Sequence, residues 1–197
     1  MKPLVILLCG AAGSGKSTFG AELFKALRAD TDVYKAAFAA SLKGAVHDAE
    51  DYFGIHNTDW DDYPTKNAAR PLLVELGRHL RRKDPDVFVA HLWEKAYSDR
   101  AFPPSVLLIE DWRYLNEYRY LATRTTVLPV RMNPTRIPAN EEEANSLMEI
   151  DAVFHELPSA MVLRAWSDDA ELSSMAMHMA GFIRQILAAK KEGKSDA

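Results

Sequence analysis

The stretch "CGAAGSGKST", residues 9–18, follows the apolar run "PLVILL" almost at the start of the chain. Three readings compete for it. A secretory signal wants an apolar core of ~7–15 residues, and Leu4 to Cys9 falls short of that. A lipoprotein signal wants a small residue before its cysteine, where Leu8 stands. A phosphate-binding loop wants G-x-x-x-x-G-K-[ST], and Gly10-Ala11-Ala12-Gly13-Ser14-Gly15-Lys16-Ser17 supplies every fixed position. The flanks agree with the third reading. A short apolar run precedes the loop, as a buried parallel strand does. After it, "STFGAELFKALRA" sets Phe19, Leu23, Phe24 and Leu27 on one helical face, with Arg28 in the last turn. The signal readings are set aside, and Cys9 becomes a buried residue ending a strand.

The chemistry explains the residue types. Gly10, Ala12, Gly13, Ser14 and Gly15 turn successive main-chain N–H groups inward at a helix N-terminus, which already favours anions. Lys16 is expected to reach the outer phosphates of a nucleotide. The Ser17 hydroxyl is expected on Mg²⁺, with Thr18 beside it in the first helical turn.

Working outward, "VYKAAFA" (33–39) reads as a strand, followed by a helix over Leu42 to Phe53 that Gly54 stops. "HNTDWDDYPTK" (56–66) reads as a polar loop whose Trp60 and Tyr63 either stack on a base or fill a core edge. Pro71 suits a helix start, with Leu72, Leu73, Leu76 and Leu80 at helical spacing, and Asp84-Pro85 suits the cap of a further helix. "SVLLIED" (105–111) is an apolar strand ending in two acids, and Glu110 and Asp111 should face opposite sides. A helix over Leu115 to Arg124 and a strand over 126–132 follow. Residues 133–150, proline-interrupted and polar, read as a mobile segment whose cluster Glu141-Glu142-Glu143 faces solvent. "AMVLRA" (160–165) is a last strand. A closing helix over Leu172 to Leu187 turns Met175, Met179, Phe182, Ile183 and Ile186 inward, a methionine stripe read as core.

With the phosphate loop at its start, this alternation predicts an α/β P-loop NTPase fold: about five parallel strands with helices on both faces. Neither repeats nor a linker interrupt it, so residues 1–190 form one domain. Substrate-binding helices occupy about 40–100, a lid about 132–150, and a disordered tail 191–197. Ligands belong at the carboxyl ends of the strands.

The 197 residues carry net charge -4, which argues against nucleic acid or an anionic membrane as partner. Cys9 is the only cysteine, so neither a disulfide nor a cysteine-built zinc site arises within the chain. The histidines show no HExxH pattern.

Beyond the loop, "FAASLKGAV" (38–46), "RPLLVELGRHLRRKDPDVFV" (70–89) and "LIEDWRYLNE" (108–117) resemble, in order and spacing, the phage-type deoxynucleoside monophosphate kinases. That family tends to read F-A-x-x-L-K, R-x-L-L-x-x-L-G, D-P-D-x-[WF] and D-x-R-x-x-N-E. Phosphomevalonate kinases are more distantly similar. The resemblance implies a nucleoside monophosphate kinase-like fold and ATP- and Mg²⁺-dependent phosphoryl transfer to a (deoxy)nucleoside 5′-monophosphate, in the cytoplasm (of the host, if phage-encoded). It singles out Phe38, Lys43, Arg70, Arg81 and Arg113 for substrate, and Lys16, Arg81, Asp111 and Arg113 for catalysis. Asp111 is expected to bind Mg²⁺ or orient the acceptor. Arg131 and Arg136 are the lid cations expected to neutralise the transition state. Arginines suit this work because their planar fork grips phosphate in two places. Where the family often carries an asparagine after the last strand, this chain reads "VLRAWSDDAEL", and Trp166 there is read as packed rather than stacked on adenine. Two alternatives stay open: another small phosphorylated acceptor such as phosphomevalonate, and a non-catalytic ATP-binding module. Oligomeric state is open, a homodimer included.

Overall fold

A computed structural model of the chain describes residues 2–54, 59, 60, 62–98, 101–133 and 135–192. Its centre is a parallel sheet in the order β2-β3-β1-β4-β5, built from β1 (Leu4–Cys9), β2 (Val33–Ala36), β3 (Val106–Ile109), β4 (Val127–Met132) and β5 (Met161–Leu163). β1 lies between β3 and β4, with Leu4 level with Val106 and Val5 with Val127. Every residue of β1, β3 and β4 is buried, as strands covered on both faces must be.

Side chains alternate between two cores. Leu4, Ile6 and Leu8 meet α1 (Lys16–Leu27) and α7 (Asp169–Glu192) through Phe19, Leu23, Met179 and Ile183. Val5, Leu7 and Cys9 face the other layer, which contains α2 (Ala39–Tyr52), α3 (Tyr63–Lys83), α4 (Val87–Trp93), α5 (Leu115–Ala122) and the end of α6 (Glu141–Val153). Trp112 is buried at the centre of that layer and donates its indole N–H to Tyr114 O at 2.8 Å. Truncating such a side chain costs ~3–5 kcal/mol.

Several boundaries differ from the sequence reading, each for a local reason. Helix α3 starts at Tyr63, not Pro71, because Asp62 accepts a hydrogen bond from Thr65 N–H at 3.0 Å and Pro64 sits in the first turn. Pro71 lies inside the helix, where its missing N–H removes one intrahelical bond. Asp84 ends α3 and Asp86 opens α4, so Asp84-Pro85 is a turn between two helices. Residues 141–153 form a regular helix where a mobile segment was expected, with Asn140 capping it by accepting from Glu143 N–H at 2.9 Å. Phe182 is largely exposed rather than core. α7 runs through Lys191 and Glu192, so only 193–197 of the expected tail remain, and these lie outside the described residues, as do 55–58 and 61 of the polar loop and Pro134 of the lid. Among the described residues, no helix is long and apolar enough to cross a membrane.

Candidate active site

β1 delivers the chain at Cys9 into a turn that only glycine completes at two points. A side chain at Gly10 would sit 2.7 Å from Met132 O, so β4 requires that close approach. Gly15 has φ +87°, a left-handed conformation, and a side chain there would overlap the Trp166 ring. Ser14 is buried, while Ser17 and Thr18 stand exposed in the first turn of α1.

Lys16 is folded back into this turn. Its Nζ donates to Gly10 O at 2.6 Å and Ala11 O at 2.8 Å, and lies 3.5 Å from Ser14 Oγ. Burial lowers its pKa, and the nearby Glu143 carboxylate works against that shift. Glu143 itself comes from α6. It accepts from Ala12 N–H at 2.9 Å and from Ala139 N–H at 2.7 Å. Burial pushes its carboxyl up, but the two amides together with Arg113 and Lys16 outweigh this and hold it below the ordinary carboxylate range. A side-chain anion thus occupies the main-chain nest suited to a phosphate.

The pocket at this point is small, about 30 Å³, and is shared by Gly10, Lys16, Asp111, Arg113, Glu143 and Ser146. Arg136 arches over the loop from outside, its Nε 3.4 Å from Ala12 O. Asp111 holds the start of α2, accepting from Phe38 N–H at 2.7 Å and Ala39 N–H at 2.9 Å. Burial pushes its carboxyl up against the pull of those amides. Glu110 faces the other way, although β3 ends at Ile109 and both acids lie just beyond it. It pairs with Lys35 at 3.0 Å and lies against Gly20 of α1, where any side chain would overlap it.

A wider cleft of about 660 Å³ opens beside the small pocket, between α3 and α6, and Ser146 borders both. Its lining includes Arg78, Tyr114, Asn140, Glu142, Asn145 and Glu149. Glu142 bridges to Arg78 at 3.0 Å and accepts from the Tyr114 hydroxyl at 3.3 Å. The expectation that the acidic cluster faces solvent holds for Glu141 and is corrected for Glu143, which is buried, while Glu142 is half-exposed. Glu142 turns to Arg78 and Tyr114 across the cleft, and Glu143 turns to the phosphate loop.

The remaining expected residues divide. Arg81 lies between the rings of Phe88 and Tyr114, its guanidinium carbon 4.5 and 4.2 Å from their centroids. Its Nη2 is 3.7 Å from Glu117 Oε1. Arg131 is buried and forks onto Asp151 at 2.7 and 2.9 Å, which commits its guanidinium to α6. The Phe38 ring belongs to the core, and only its main chain meets Asp111. Lys43 sits 5.5 Å over the Trp60 ring. Arg70 is exposed on α3 and borders neither cavity. Trp166 packs against the α1–α7 core and over Gly15. Glu117, Tyr114, Glu143 and Ser146 were not singled out as site residues in the sequence. Glu117 had a signal, being the last letter of D-x-R-x-x-N-E and the third residue of α5. Glu143 had none.

No protein-family model matches this sequence, and no curated protein matches it. Its structure is similar to a gluconokinase from Sinorhizobium meliloti 1021, at TM-score 0.50 and 14% identity over 95% of this chain and 97% of that one. The chain has a P-loop kinase-like fold. A shikimate kinase from Bacteroides thetaiotaomicron (TM-score 0.49, 14% identity, 92% and 98% covered) and Kti12 from Chaetomium thermophilum in complex with ADP-AlF3 (TM-score 0.46, 12% identity, 89% and 96% covered) are also similar.

Proposed function

We propose that this chain moves the γ-phosphate of ATP onto a (deoxy)nucleoside 5′-monophosphate. An oxygen of the acceptor phosphate attacks, the bond to ADP breaks, and two nucleoside diphosphates leave. One observation carries the reading: Lys16, Asp111 and Arg113 converge on a single pocket at the mouth of a phosphate loop, and Arg136 lies over that loop. Two polyanions approach each other only where cations are fixed in advance, and such preorganised charge is the main source of catalysis in phosphoryl transfer.

In this reading Lys16 exchanges the carbonyls of Gly10 and Ala11 for the donor's outer phosphates, and Glu143 yields its seat to them. Arg113 and Arg136 then neutralise the transferred group, and Arg81 with Tyr114 borders the acceptor. The donor oxygens fit Mg²⁺. Ser17 offers an exposed hydroxyl in the first turn of α1, and Asp111, whose two oxygens also accept from the amides of Phe38 and Ala39, lines the small pocket. Among the described residues, no group of three or more His, Cys, Asp or Glu side chains could hold a metal, which suits an ion bound through one or two protein oxygens and the nucleotide's own phosphates. When bound, the ion neutralises charge on the phosphoryl oxygens. We place the enzyme in the cytoplasm, with small-molecule nucleotides as its partners and neither nucleic acid nor membrane.

The wide cleft favours a second reading. Its one cation, Arg78, is already paired with Glu75 and Glu142, and the rest of its lining is acidic, amide or hydroxyl. That chemistry suits a polyhydroxylated acceptor without a phosphate of its own, and the gluconokinase similarity adds a concrete compound to try.

A coupled ADP-release assay with ATP and Mg²⁺ separates them, run with ribo- and deoxynucleoside monophosphates, phosphomevalonate and gluconate. Stimulation by the monophosphates alone supports the first reading. Stimulation by gluconate alone moves the chain to the second. ATP binding with no stimulation by any acceptor makes it a nucleotide-binding module.

A further inference from the structure

The two arginines that this reading needs on opposite sides of the reaction share one neighbour. Glu117 is buried in the first turn of α5. Its Oε2 accepts from the N–H groups of Arg113 and Tyr114, both at 3.1 Å. Its Oε1 faces Arg81 Nη2 at 3.7 Å. Arg113 reaches the phosphate-loop pocket, whereas Arg81 sits on α3 between Phe88 and Tyr114. The same turn is also where α6 docks, since Ser146 donates its hydroxyl to Arg113 O and Tyr114 donates to Glu142. A single carboxylate therefore fixes the main chain that carries one arginine and the charge that faces the other.

We infer that Glu117 is a positioning residue for phosphoryl transfer, holding Arg113 on the donor side and Arg81 on the acceptor side in one frame. The inference rests on the kinase reading. It goes beyond a capping box, which Glu117 also completes for α5. A cap needs only an oxygen that accepts from two main-chain N–H groups, and a glutamine supplies one. Holding Arg81 needs the negative charge. Burial pushes the Glu117 carboxyl up to about 7, while the two amides and Arg81 pull it down, so the variants are compared at about pH 8 to 9, where the carboxylate carries its charge. The groups that face it are Arg81 from α3 and Arg113, Tyr114 and Asp111 from the segment before α5.

The test is E117Q in the full-length chain, with R81M and the double variant alongside. Acceptor-dependent ADP release is measured with the monophosphate that best stimulates the wild type, and ATP affinity is measured separately without acceptor. The expected result is an acceptor KM raised about tenfold with kcat lowered, and an unchanged ATP affinity, because an ion pair whose carboxylate is fully buried is worth more than an exposed one. R81M should show the same split, and the double variant should be no worse than R81M, since removing Arg81 already removes what the charge acts on. A cap alone leaves E117Q equal to wild type, which overturns the inference. Losses that add in the double variant also overturn it. Should E117Q fail to fold, E117D takes its place: it keeps the charge at a shorter reach, so acceptor KM should rise by less than in R81M, and an acceptor KM equal to wild type's overturns the inference. A wild type that no monophosphate stimulates overturns the kinase reading, a result distinct from a stimulated wild type whose E117Q twin is unaltered.

Discussion

The phosphate loop and α6 meet at one pocket with opposite charges. From the loop come main-chain N–H groups and the Lys16 ammonium, while α6 brings the Glu143 carboxylate. The loop's cationic character is built from local backbone geometry, with Gly13 and Gly15 at φ +71° and +87°, and changes little unless the chain itself refolds. The anion is a single side chain reaching over from α6, and turning that one side chain away removes it. The backbone is the rigid half of this pair, and the side chain is the movable half. The difference teaches how the chain neutralises its own loop: a partly buried ammonium and inward N–H groups are costly without a counter-charge.

The strongest way to break the rigid half is to remove its ammonium. Lys16→Ala should lower acceptor-dependent kcat/KM by at least ~10²–10³-fold, the loss seen when one preorganised charge donor is deleted. Steady-state ADP release checks this, and near-wild-type turnover would end the kinase reading. Gly15→Ala tests the geometry instead of the charge. The left-handed conformation alone costs an alanine ~1–2 kcal/mol, and the new methyl also overlaps the Trp166 ring. Thermal melting should fall by several degrees. An unchanged midpoint would mean that the turn and Trp166 are free to separate.

Asp111 sits at the border between the halves. Both of its oxygens hold amides of α2, so Asp111→Asn turns an N–H₂ group toward one of them. A stability loss of ~1 kcal/mol is expected from that alone. A metal role adds a weaker Mg²⁺ dependence, with the midpoint of the activating Mg²⁺ curve moved to higher concentration. A variant that melts earlier but keeps the wild-type Mg²⁺ curve restricts Asp111 to the cap.

The same division governs what could be read without coordinates. The loop, the strands on either side of it and their order of alternation were legible, because G-x-x-x-x-G-K-S and continuous apolar runs are short-range patterns with one structural solution. Opposite facing of Glu110 and Asp111 was also expected, although both acids lie just beyond the end of β3. Helix starts were less legible where two cues competed: Asp62 and Pro64 open α3, and Pro71 is carried inside it by the packing of Leu73, Leu76 and Leu80 on the core. The inward turn of Glu142 and Glu143 was not legible at all. Three consecutive glutamates read as a solvated face, and only the fold shows that Arg78 stands across the cleft and Ala12 N–H across the pocket. Glu117 lies between these cases, since its helix-start position was readable but its neighbour Arg81, far back in the chain, was not.

The smallest effect probes the movable half. If Glu143 competes with phosphate for the loop, Glu143→Gln should tighten ATP binding roughly fivefold, the worth of about 1 kcal/mol in losing one charge-assisted contact. The glutamine oxygen still accepts from Ala12 N–H, so the fold is retained while the charge facing Lys16 and Arg113 is gone. The pH dependence gives the sign independently. The folded-state pKa of Glu143 is depressed, so its stabilising contribution is complete above the ordinary carboxylate value and is lost as pH falls through the lower folded value. The gap in ATP affinity between variant and wild type should therefore stay constant from about pH 6 to pH 9 and close only in acid, below the usual glutamate pKa of ~4.3. Isothermal titration with ATP across that range reads both quantities. Weaker binding by the glutamine variant at neutral pH would mean that the carboxylate supports the loop in its nucleotide-bound form, and the two halves would then be partners instead of competitors.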